Sequence, residues 1–371
     1  MTGRVLHLVG STVDHGGVLA VLRNVQSADP VGMYEHVVWV HEGFEQVREP
    51  MLELVRTRHD LRKSLLKQLV GTVRELLRLV EEGGFSVVHA HDRHAHVLGA
   101  VVSVVGGCRV LGSIHFYAKR TWIYRLIERL PRFRTVLLTP EMARHYGMER
   151  AGVPLVPDCC ADAFFDERLE AVETVFSEGR QLRLRGFGVL IEWKGWHVLL
   201  EALGLLSEDE RKLVDVEVVG QPAPVESARL YAEGLRRTVE VRGLGGCVRF
   251  PGFVADVRAK LREADWMVLP SVNEPCAVAT SEALAMGKPV LVTRSGGNVD
   301  TVCEGENGLM FEVGEAAGLA EKIRWILAGG ELGFDAAGIR ESARERSASF
   351  VRGELYEVYR AWSLRGEEPG R

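Results

Sequence analysis

Short apolar runs alternate with longer amphipathic segments along most of the chain. Runs such as Val5–Val9 and Val87–Ala90 have the length and the continuous apolar character of buried strands. Between them, apolar residues recur at helical spacing, as in Val18–Val25 and Leu65–Val80, and charged residues fill the intervening positions. This alternation predicts parallel sheets covered by helices, which is an α/β fold class.

The alternation stops in an acidic, less periodic segment, Pro154–Glu178, and then starts again, which predicts two doubly wound domains. We place the first domain at residues 1–160, a linker at 161–180 and the second domain at 181–349. A last helix within 350–371 is expected to return and pack across the domain boundary. The predicted strands are Val5–Val9, His36–Val40, Val87–Ala90, Val110–Ile114, Val136–Thr139, Leu182–Leu190, Val214–Val219, Val248–Phe250, Trp266–Leu269 and Val290–Thr293. The predicted helices are Val18–Val25, Leu65–Val80, Trp196–Leu206, Ala277–Met286 and Phe350–Trp362.

Composition narrows the function classes. The chain has 371 residues, and its formal net charge of −5 argues against a dedicated nucleic-acid binder. Its six cysteines include no C-x-x-C pair, so reduced thiols in a cytoplasm are expected. The apolar part of Met1–Gly10 is too short for a secretion signal, and no apolar run is long enough to cross a bilayer. We therefore expect a cytoplasmic protein.

The clearest chemical signal lies where a predicted strand ends at Pro270 and a helix begins near Ala277. Glu274 lies in the loop between them and Glu282 inside the helix. A helix start offers unpaired N–H groups and a positive dipole end, which suit a diphosphate. Carboxylates on either side could accept hydrogen bonds from sugar hydroxyls. The plainer interpretation is that both are surface glutamates beside an ordinary turn.

The run from Glu274 to Glu282, followed by Ala-Leu-Ala-Met-Gly-Lys-Pro-Val, resembles the E-x7-E signature of the retaining GT-B glycosyltransferases, glycosyltransferase family 4. The likeness continues through Gly296-Gly297, Asn307-Gly308 and Val248–Asp256. It implies the GT-B fold, in which two Rossmann-like domains face an interdomain cleft. The first domain would then lie on the acceptor side and the second would bind the nucleotide sugar.

The resemblance implies a reaction and a set of partners. It implies transfer, with retention, of a sugar from a UDP- or GDP-type donor to a lipid-linked, saccharide or small-molecule acceptor in glycan or glycoconjugate biosynthesis. No metal and no other cofactor is expected, because the helix dipole and side-chain cations take the place of a divalent ion.

The resemblance also assigns roles to individual residues. Glu274 matches the glutamate that contacts the transferred sugar, and Glu282 the one that binds the ribose hydroxyls. Lys194 matches the lysine that neutralises the diphosphate, where a cation stabilises the charge of the leaving group. His115, at the end of a predicted strand, would line the reaction centre. The remaining donor-binding positions are Gly16, Gly17, Val254, Cys276, Ala277, Val278 and Ala279.

Two positions depart from the family pattern. Val189 stands where an arginine is common, so either Arg185 or Arg294 substitutes for it or diphosphate binding is weaker. Leu19 stands where a glutamate is frequent. The missing arginine keeps a catalytically silent sugar-nucleotide-binding protein open as an alternative. A GT-B-fold sugar-nucleotide epimerase is a third alternative.

Two further clusters have competing interpretations. The run His89-Ala-His91-Asp-Arg-His94-Ala-His96 could bind zinc, but strand alternation and the family resemblance explain His89 and His91 without metal. Residues 119–134 contain six basic residues and one acidic residue. They could form a peripheral contact with an anionic membrane at the inner face. Equally, they could form a solvated helix whose Trp122, Leu126 and Leu130 enter the core.

Overall fold

The computed structural model of the protein describes residues 3–10, 17–46, 51–59, 65–168, 180–330 and 335–364. They form two compact units. The first contains the chain up to Asp162 together with the residues from Arg346 onward, and the second runs from Ala163 to Glu345. The predicted linker, 161–180, lies largely outside the described residues, because 169–179 are among those not described.

The first unit is built on a six-stranded parallel sheet with the strand order β3-β2-β1-β4-β5-β6. This order winds outward in both directions from β1, so helices cover both faces. The strands are β1 (Gly3–Leu8), β2 (Tyr34–His41), β3 (Glu53–Thr57), β4 (Val87–Ala90), β5 (Val110–Ser113) and β6 (Phe133–Val136). The helices in this part of the chain are α1 (Gly17–Ser27), α2 (Leu65–Gly83), α3 (Arg93–Val105), α4 (Thr121–Ile127) and α5 (Pro140–Tyr146).

The second unit repeats the same winding with the order β12-β11-β10-β7-β8-β9, again in parallel. Its direction reverses between β7 and β10, which are neighbours in the sheet. The strands are β7 (Leu182–Phe187), β8 (Val214–Val219), β9 (Val248–Gly252), β10 (Trp266–Leu269), β11 (Val290–Thr293) and β12 (Gly308–Phe311). The helices are α6 (Trp196–Gly204), α7 (Glu208–Lys212), α8 (Glu226–Val241), α9 (Val257–Glu263), α10 (Val278–Ala285), α11 (Asn298–Thr301), α12 (Ala316–Leu327) and α13 (Ala336–Ser342).

The last helix of the chain, α14 (Ala348–Leu364), belongs to the first unit, where it packs on α1. Its Tyr356 and Tyr359 are fully buried. They pack against His36 and His89, on a face of the first sheet where buried histidines lie among aliphatic side chains such as Val38. The other face is an ordinary apolar core, in which Leu6, Trp39 and Leu98 pack together. Full burial of each such side chain contributes roughly 1.5–3 kcal/mol.

The predicted α/β class with two doubly wound units is confirmed. Two strands were not predicted, β3 and β12, and both lie at sheet edges. β6 begins at Phe133, three residues before the predicted start. Among the described residues, no helix combines the length and the apolar character needed to cross a membrane.

Candidate active site

Lys194 and Glu274 both lie just beyond the carboxyl ends of adjacent strands in the second unit. Lys194 ends a short 3-10 helix, Glu192–Lys194, that follows β7, and Glu274 lies in the loop after β10. β7 and β10 are the pair at which the strand order reverses. Loops diverge there and leave a crevice, which is where doubly wound sheets bind ligands.

The two side chains form a close ion pair. Lys194 Nζ lies 2.6 Å from Glu274 Oε2, and the two side chains are only 12% and 9% exposed. The ammonium group also lies 4.5 Å from the centre of the Trp193 ring, which provides a cation–π contact. Burial makes this charge pair sensitive to any ligand that offers either partner a better contact.

Backbone contacts hold the two loops together. The N–H of Val272 donates a hydrogen bond to the carbonyl oxygen of Trp193 at 2.8 Å. Gly195 has φ +70, and a Cβ atom there would lie 2.0 Å from the carbonyl oxygen of Pro270. Only glycine allows the backbones of the two loops to approach so closely in this conformation.

A third loop, after β11, supports Glu274 from the other side. The N–H of Gly297 donates to the carbonyl oxygen of Glu274 at 2.7 Å. Gly296 has φ +56, and its Cβ would lie 2.2 Å from the same oxygen. The hydroxyl of Thr293 donates to the carbonyl oxygen of Ser271 at 2.5 Å. The Gly296-Gly297 pair therefore acts through the backbone of Glu274.

The first turn of α10 follows directly after this loop. Its N-cap residue is Ala277, which has no polar side chain, whereas α9 and α13 are capped by the carboxylates of Asp256 and Asp335. The first N–H groups of α10 are therefore not satisfied by a cap side chain, and an anion could accept from them. The predicted positions here are two buried residues, Cys276 and Ala277, and two half-buried ones, Val278 and Ala279.

Glu282 lies in the second turn of the same helix. Its side chain keeps some exposed surface but is otherwise enclosed by protein atoms. This burial disfavours the carboxylate and raises the pKa of Glu282 to about 7. Near neutral pH the group is therefore present both as an acid, which donates a hydrogen bond, and as a carboxylate, which accepts.

The remaining predicted donor positions are more scattered. Val254 is half-buried in the connection between β9 and α9. Gly17 is the first residue of α1, and Gly16 lies outside the described residues.

Neither arginine offered as a substitute at Val189 has an uncommitted guanidinium group. Arg185 is buried in β7 and lies 2.8 Å from a carboxylate oxygen of Asp215. Arg294 hydrogen-bonds Glu304 and lies 3.2 Å from Glu312. Because protein carboxylates already neutralise both groups, the structure favours neither as a second phosphate cation.

In the first unit, His115 follows β5 and uses both ring nitrogens in protein contacts. Nδ1 lies 3.0 Å from Asp158 Oδ1, and Nε2 lies 3.1 Å from His91 Nδ1. No local pattern pointed to Asp158, which lies in an irregular segment 43 residues after His115. The two residues meet only because the sheet brings their segments together.

The histidine cluster has one group with metal-like spacing. Ligand atoms of His7, His89 and His91 lie within 4.8 Å of one another. Each ring nitrogen of these three residues already has a partner in the protein, however. His89 pairs with the hydroxyls of Tyr359 and Ser113, and the ring nitrogens of His7 and His91 pair with other histidines.

Only part of the core packing expected for the basic segment 119–134 is observed. Trp122 and Leu126 are 57% and 55% exposed, so their expected place in the core is wrong. The short helix α4 instead buries Tyr124 and Ile127, which lie three residues apart. Leu130 does pack against the apolar core. The exposed surface, defined here as the basic patch, comprises Lys119, Arg120, Trp122, Arg125, Leu126, Arg129 and Arg132.

Comparison with known proteins finds one family and several relatives that match part of the chain. The sequence profile of the family described as glycosyl transferases group 1 matches residues 184–329. The lipopolysaccharide core biosynthesis glycosyltransferase LpsE of Rhizobium meliloti is 34% identical over 145 residues, which are 39% of each chain. A D-inositol 3-phosphate glycosyltransferase of Streptomyces avermitilis is 31% identical over 253 residues, which are 65% of this chain and 52% of the relative. The chain thus spans about four-tenths to half the length of these two relatives.

Solved structures match over both units. HepE of Anabaena, solved in complex with UDP, has a TM-score of 0.76 at 20% identity and covers 97% of this chain and 100% of its own. A likeness at this identity shows the fold, and it confirms GT-B as the fold predicted from the sequence.

Proposed function

We propose that the chain transfers a sugar, with retention, from a nucleoside diphosphate donor to an acceptor in glycan or glycoconjugate biosynthesis, because residues 184–329 match the family described as glycosyl transferases group 1. The observation that carries the proposal is the buried Lys194–Glu274 pair, which lies where the strand order of the second sheet reverses.

The first step is an exchange of partners at this pair. A diphosphate offers Lys194 more negative charge than one carboxylate does, so the ammonium would turn from Glu274 to the phosphates. Glu274 would then be released to accept a hydrogen bond from a hydroxyl of the sugar. Donor binding therefore prepares the carboxylate that holds the group to be transferred.

The leaving group gains charge as the glycosidic bond breaks. Lys194 and the first N–H groups of α10, around Ala277–Ala279, would stabilise that charge without a metal ion. Glu282 would bind the ribose hydroxyls, and the backbone at Val254 would contact the base. Gly16 and Gly17 would approach the donor through backbone groups, and His115 would act on the transferred sugar.

The donor is assigned to the UDP or GDP type, and the acceptor to a lipid-linked, saccharide or small-molecule hydroxyl. Support for UDP comes from HepE, which binds it on the same fold. Support for a saccharide acceptor comes from LpsE, which acts in lipopolysaccharide core biosynthesis. The expected cytoplasmic location, without a metal or other cofactor, belongs to the same proposal.

The test is transfer of labelled sugar from a panel of nucleotide sugars by the purified protein. Donors are first chosen by thermal shift, because a ligand of the folded state raises the melting temperature. Glu274→Gln and Lys194→Met should each lower kcat by about 10²–10³, as loss of a transition-state contact does. Lys322→Met, which removes the lysine of a more exposed pair with Glu304 in the same unit, is the matched control. Full activity in either site variant would refute the proposal.

The same assay separates the alternatives. Donor binding without transfer or hydrolysis would favour a silent binding protein, for which the valine at position 189 is the motive. Conversion of the donor sugar in the absence of any acceptor would favour an epimerase. Retention is read from the anomeric configuration of the product.

The basic patch supports peripheral binding to an anionic membrane. Its arginines surround an exposed tryptophan and leucine, which is the composition of surfaces that lie at the headgroup level. Flotation with anionic liposomes should retain the protein, and neutralising Arg125, Arg129 and Arg132 together should release it. Neutralising Arg229, Arg236 and Arg237, three exposed arginines of α8, is the control for charge alone. Equal flotation of all three proteins would contradict membrane binding through the patch.

A further inference from the structure

A continuous chain of hydrogen bonds crosses the buried histidine face of the first unit. It begins and ends at a carboxylate, and every link is a contact between side chains. In order, the seven groups are Asp158, His115, His91, His7, His36, Tyr356 and Asp29.

The middle of the chain consists of imidazole rings alone. His115 Nε2 lies 3.1 Å from His91 Nδ1, and His91 Nε2 lies 2.9 Å from His7 Nδ1. His7 Nε2 lies 2.8 Å from His36 Nδ1. His91, His7 and His36 are almost wholly buried. Each of these rings directs one nitrogen to the preceding group and the other nitrogen to the following group.

The two ends are fixed by acids. At one end, His115 Nδ1 lies 3.0 Å from Asp158 Oδ1. At the other, the Tyr356 hydroxyl oxygen lies 2.9 Å from His36 Nε2 and 2.9 Å from Asp29 Oδ2. Asp29 also accepts from the backbone N–H groups of Gly32, Met33 and Tyr34, so it is held as a carboxylate.

Counting protons along this chain shows a deficit. Seven groups make six contacts, and each contact requires one proton between its two heavy atoms. Four neutral imidazoles and one phenol carry one such proton each, and two carboxylates carry none. The neutral chain is therefore one proton short of satisfying every contact. A buried contact left without its proton places two acceptors against each other, which is costly.

We propose that this hydrogen-bonded chain of side chains holds one proton beyond those of its neutral groups, and that His115 and Asp158 share it. With that proton in place, His115 donates to His91 and every further link is donated in the same direction, ending at Asp29. His91, His7 and His36 then each carry their proton on Nε2.

The extra proton is placed at the His115 end because of the surroundings of the four rings. Burial, followed by the proximity of other histidines, lowers the pKa of His7 and of His91 well below the usual value. Burial also lowers the pKa of His36 to about 4, so none of these three rings favours a charge. His115 is the ring that lies against a carboxylate and keeps some exposed surface.

The other titratable groups that pack against these rings do not supply the missing proton. His89 uses its two ring nitrogens toward the hydroxyls of Tyr359 and Ser113, and its ring packs on His91. Tyr34 packs edge-on against Tyr359, and His96 Nδ1 donates to the carbonyl oxygen of Asp92. None of these contacts inserts a donor into the chain between Asp158 and Asp29.

Tyr356 is thereby a positioning residue for His115, on which it acts through three rings. The consequence for catalysis rests on the proposed function, which assigns His115 to the transferred sugar. At the transferred sugar, the hydrogen-bonded chain would hold the imidazole of His115 in a fixed orientation, either as a cation or paired with an acid. The protonation pattern itself is independent of that function.

The test is nitrogen-15 NMR of the histidine rings in the full chain at pH 7. The wild type should show His91, His7 and His36 as Nε2–H tautomers. Tyr356→Phe removes one contact at each side of the hydroxyl, so four neutral rings then satisfy the four contacts that remain. All three rings should switch to the Nδ1–H tautomer, and the extra proton should be lost.

Tyr359→Phe is the matched control, because its hydroxyl meets His89 outside the chain. It should leave the three tautomers unchanged. Asp29→Asn is a second variant in case Tyr356→Phe folds poorly, since the amide can donate to the tyrosine and reverse the direction of the links. Nδ1–H tautomers in the wild type, or no switch in either variant, would overturn the proposal. So would a stoichiometric metal ion bound by His7, His89 and His91 in the purified protein.

Discussion

The N–H of Val272 donates to the carbonyl oxygen of Trp193 at 2.8 Å, which joins the loop that leads to Glu274 to the loop that carries Lys194. The ion pair is therefore positioned by main-chain contacts rather than by its own attraction. Because these contacts already fix the loops, donor binding has little further ordering to provide at this point.

Gly296→Ala should disrupt the site through the backbone of Glu274. An alanine at φ +56 costs about 1–2 kcal/mol, and its Cβ would also displace a carbonyl oxygen 2.2 Å away. We expect a loss of kcat of about a hundredfold, because a shift of about 1 Å at a reacting group has that effect. Steady-state kinetics and urea unfolding measure both quantities.

Gly314→Ala is the control for backbone conformation alone. Gly314 has φ +76, and no described atom lies within 4 Å of its ideal Cβ beyond its chain neighbours. This variant should lose stability but keep its kcat. Equal kinetic effects from the two substitutions would show that contact with Glu274 is unimportant.

Lys194→Met should destabilise the second unit as well as inactivate it. It leaves the carboxylate of Glu274 buried without its partner, which costs about 3–5 kcal/mol when a buried pair is broken. Adding Glu274→Gln should restore most of the stability but none of the activity. Urea unfolding of the two single variants and the double variant measures the coupling. Strict additivity would mean that the pair does not form in solution.

Glu282 should make the second unit more stable in mild acid. Its pKa of about 7 lies above the value of about 4.3 for an unfolded chain, so the folded state binds more protons between these limits. Stability from this group is full below the lower value and falls by about 4 kcal/mol as pH rises through the upper one. Glu282→Gln should remove this dependence, and exposed Glu321→Gln should not. Parallel pH profiles for the wild type and Glu282→Gln would exclude the shift.

The buried histidines should make the first unit respond in the opposite direction. The pKa values of His7, His36, His89 and His91 are lowered, mainly by burial, from about 6.5 in an unfolded chain. The unfolded state therefore binds more protons below about pH 6.5, and stability falls as pH falls. Each ring contributes up to about 1.4 kcal/mol per pH unit.

Hydrogen exchange at pH 7.5 and 5.5, resolved by peptide and corrected for intrinsic rates, compares the two units directly. The segment from Ala163 to Glu345 contains a single histidine, His197, so the second unit is an internal control. Opening free energies should fall with acidification in the first unit only. A uniform change across both units would contradict the assignment.

The short apolar runs predicted the central strands, because strands that are buried on both faces are apolar throughout. β4, β8 and β10 match the predicted bounds residue for residue. β3 escaped because this edge strand reads Glu-Leu-Val-Arg-Thr and has no continuous apolar run. β12 reads Gly-Leu-Met-Phe and is as short as β4, so neither its length nor its composition explains why it was missed. Basic residues around Phe133 made the start of β6 resemble the end of a helix.

The site was only partly accessible from the sequence. Glu274 and Lys194 stand in a local motif with defined spacing, so their positions could be named in advance. Asp158, Tyr356 and Asp29 have no such context, and His36 meets Tyr356 across 320 residues. Contacts of that separation depend on how the strands are ordered, which no local pattern encodes.

The return of α14 to the first unit imposes an order on biosynthesis. A ribosome completes residues 163–345, a continuous α/β unit, before it makes the helix that covers the histidines of the first sheet. During that interval the first sheet has its strands but lacks Tyr356 and Tyr359, so the buried histidines that these tyrosines contact are not yet covered. The second unit is therefore the part of the nascent chain that matures first, and the amino-terminal sheet is finished last.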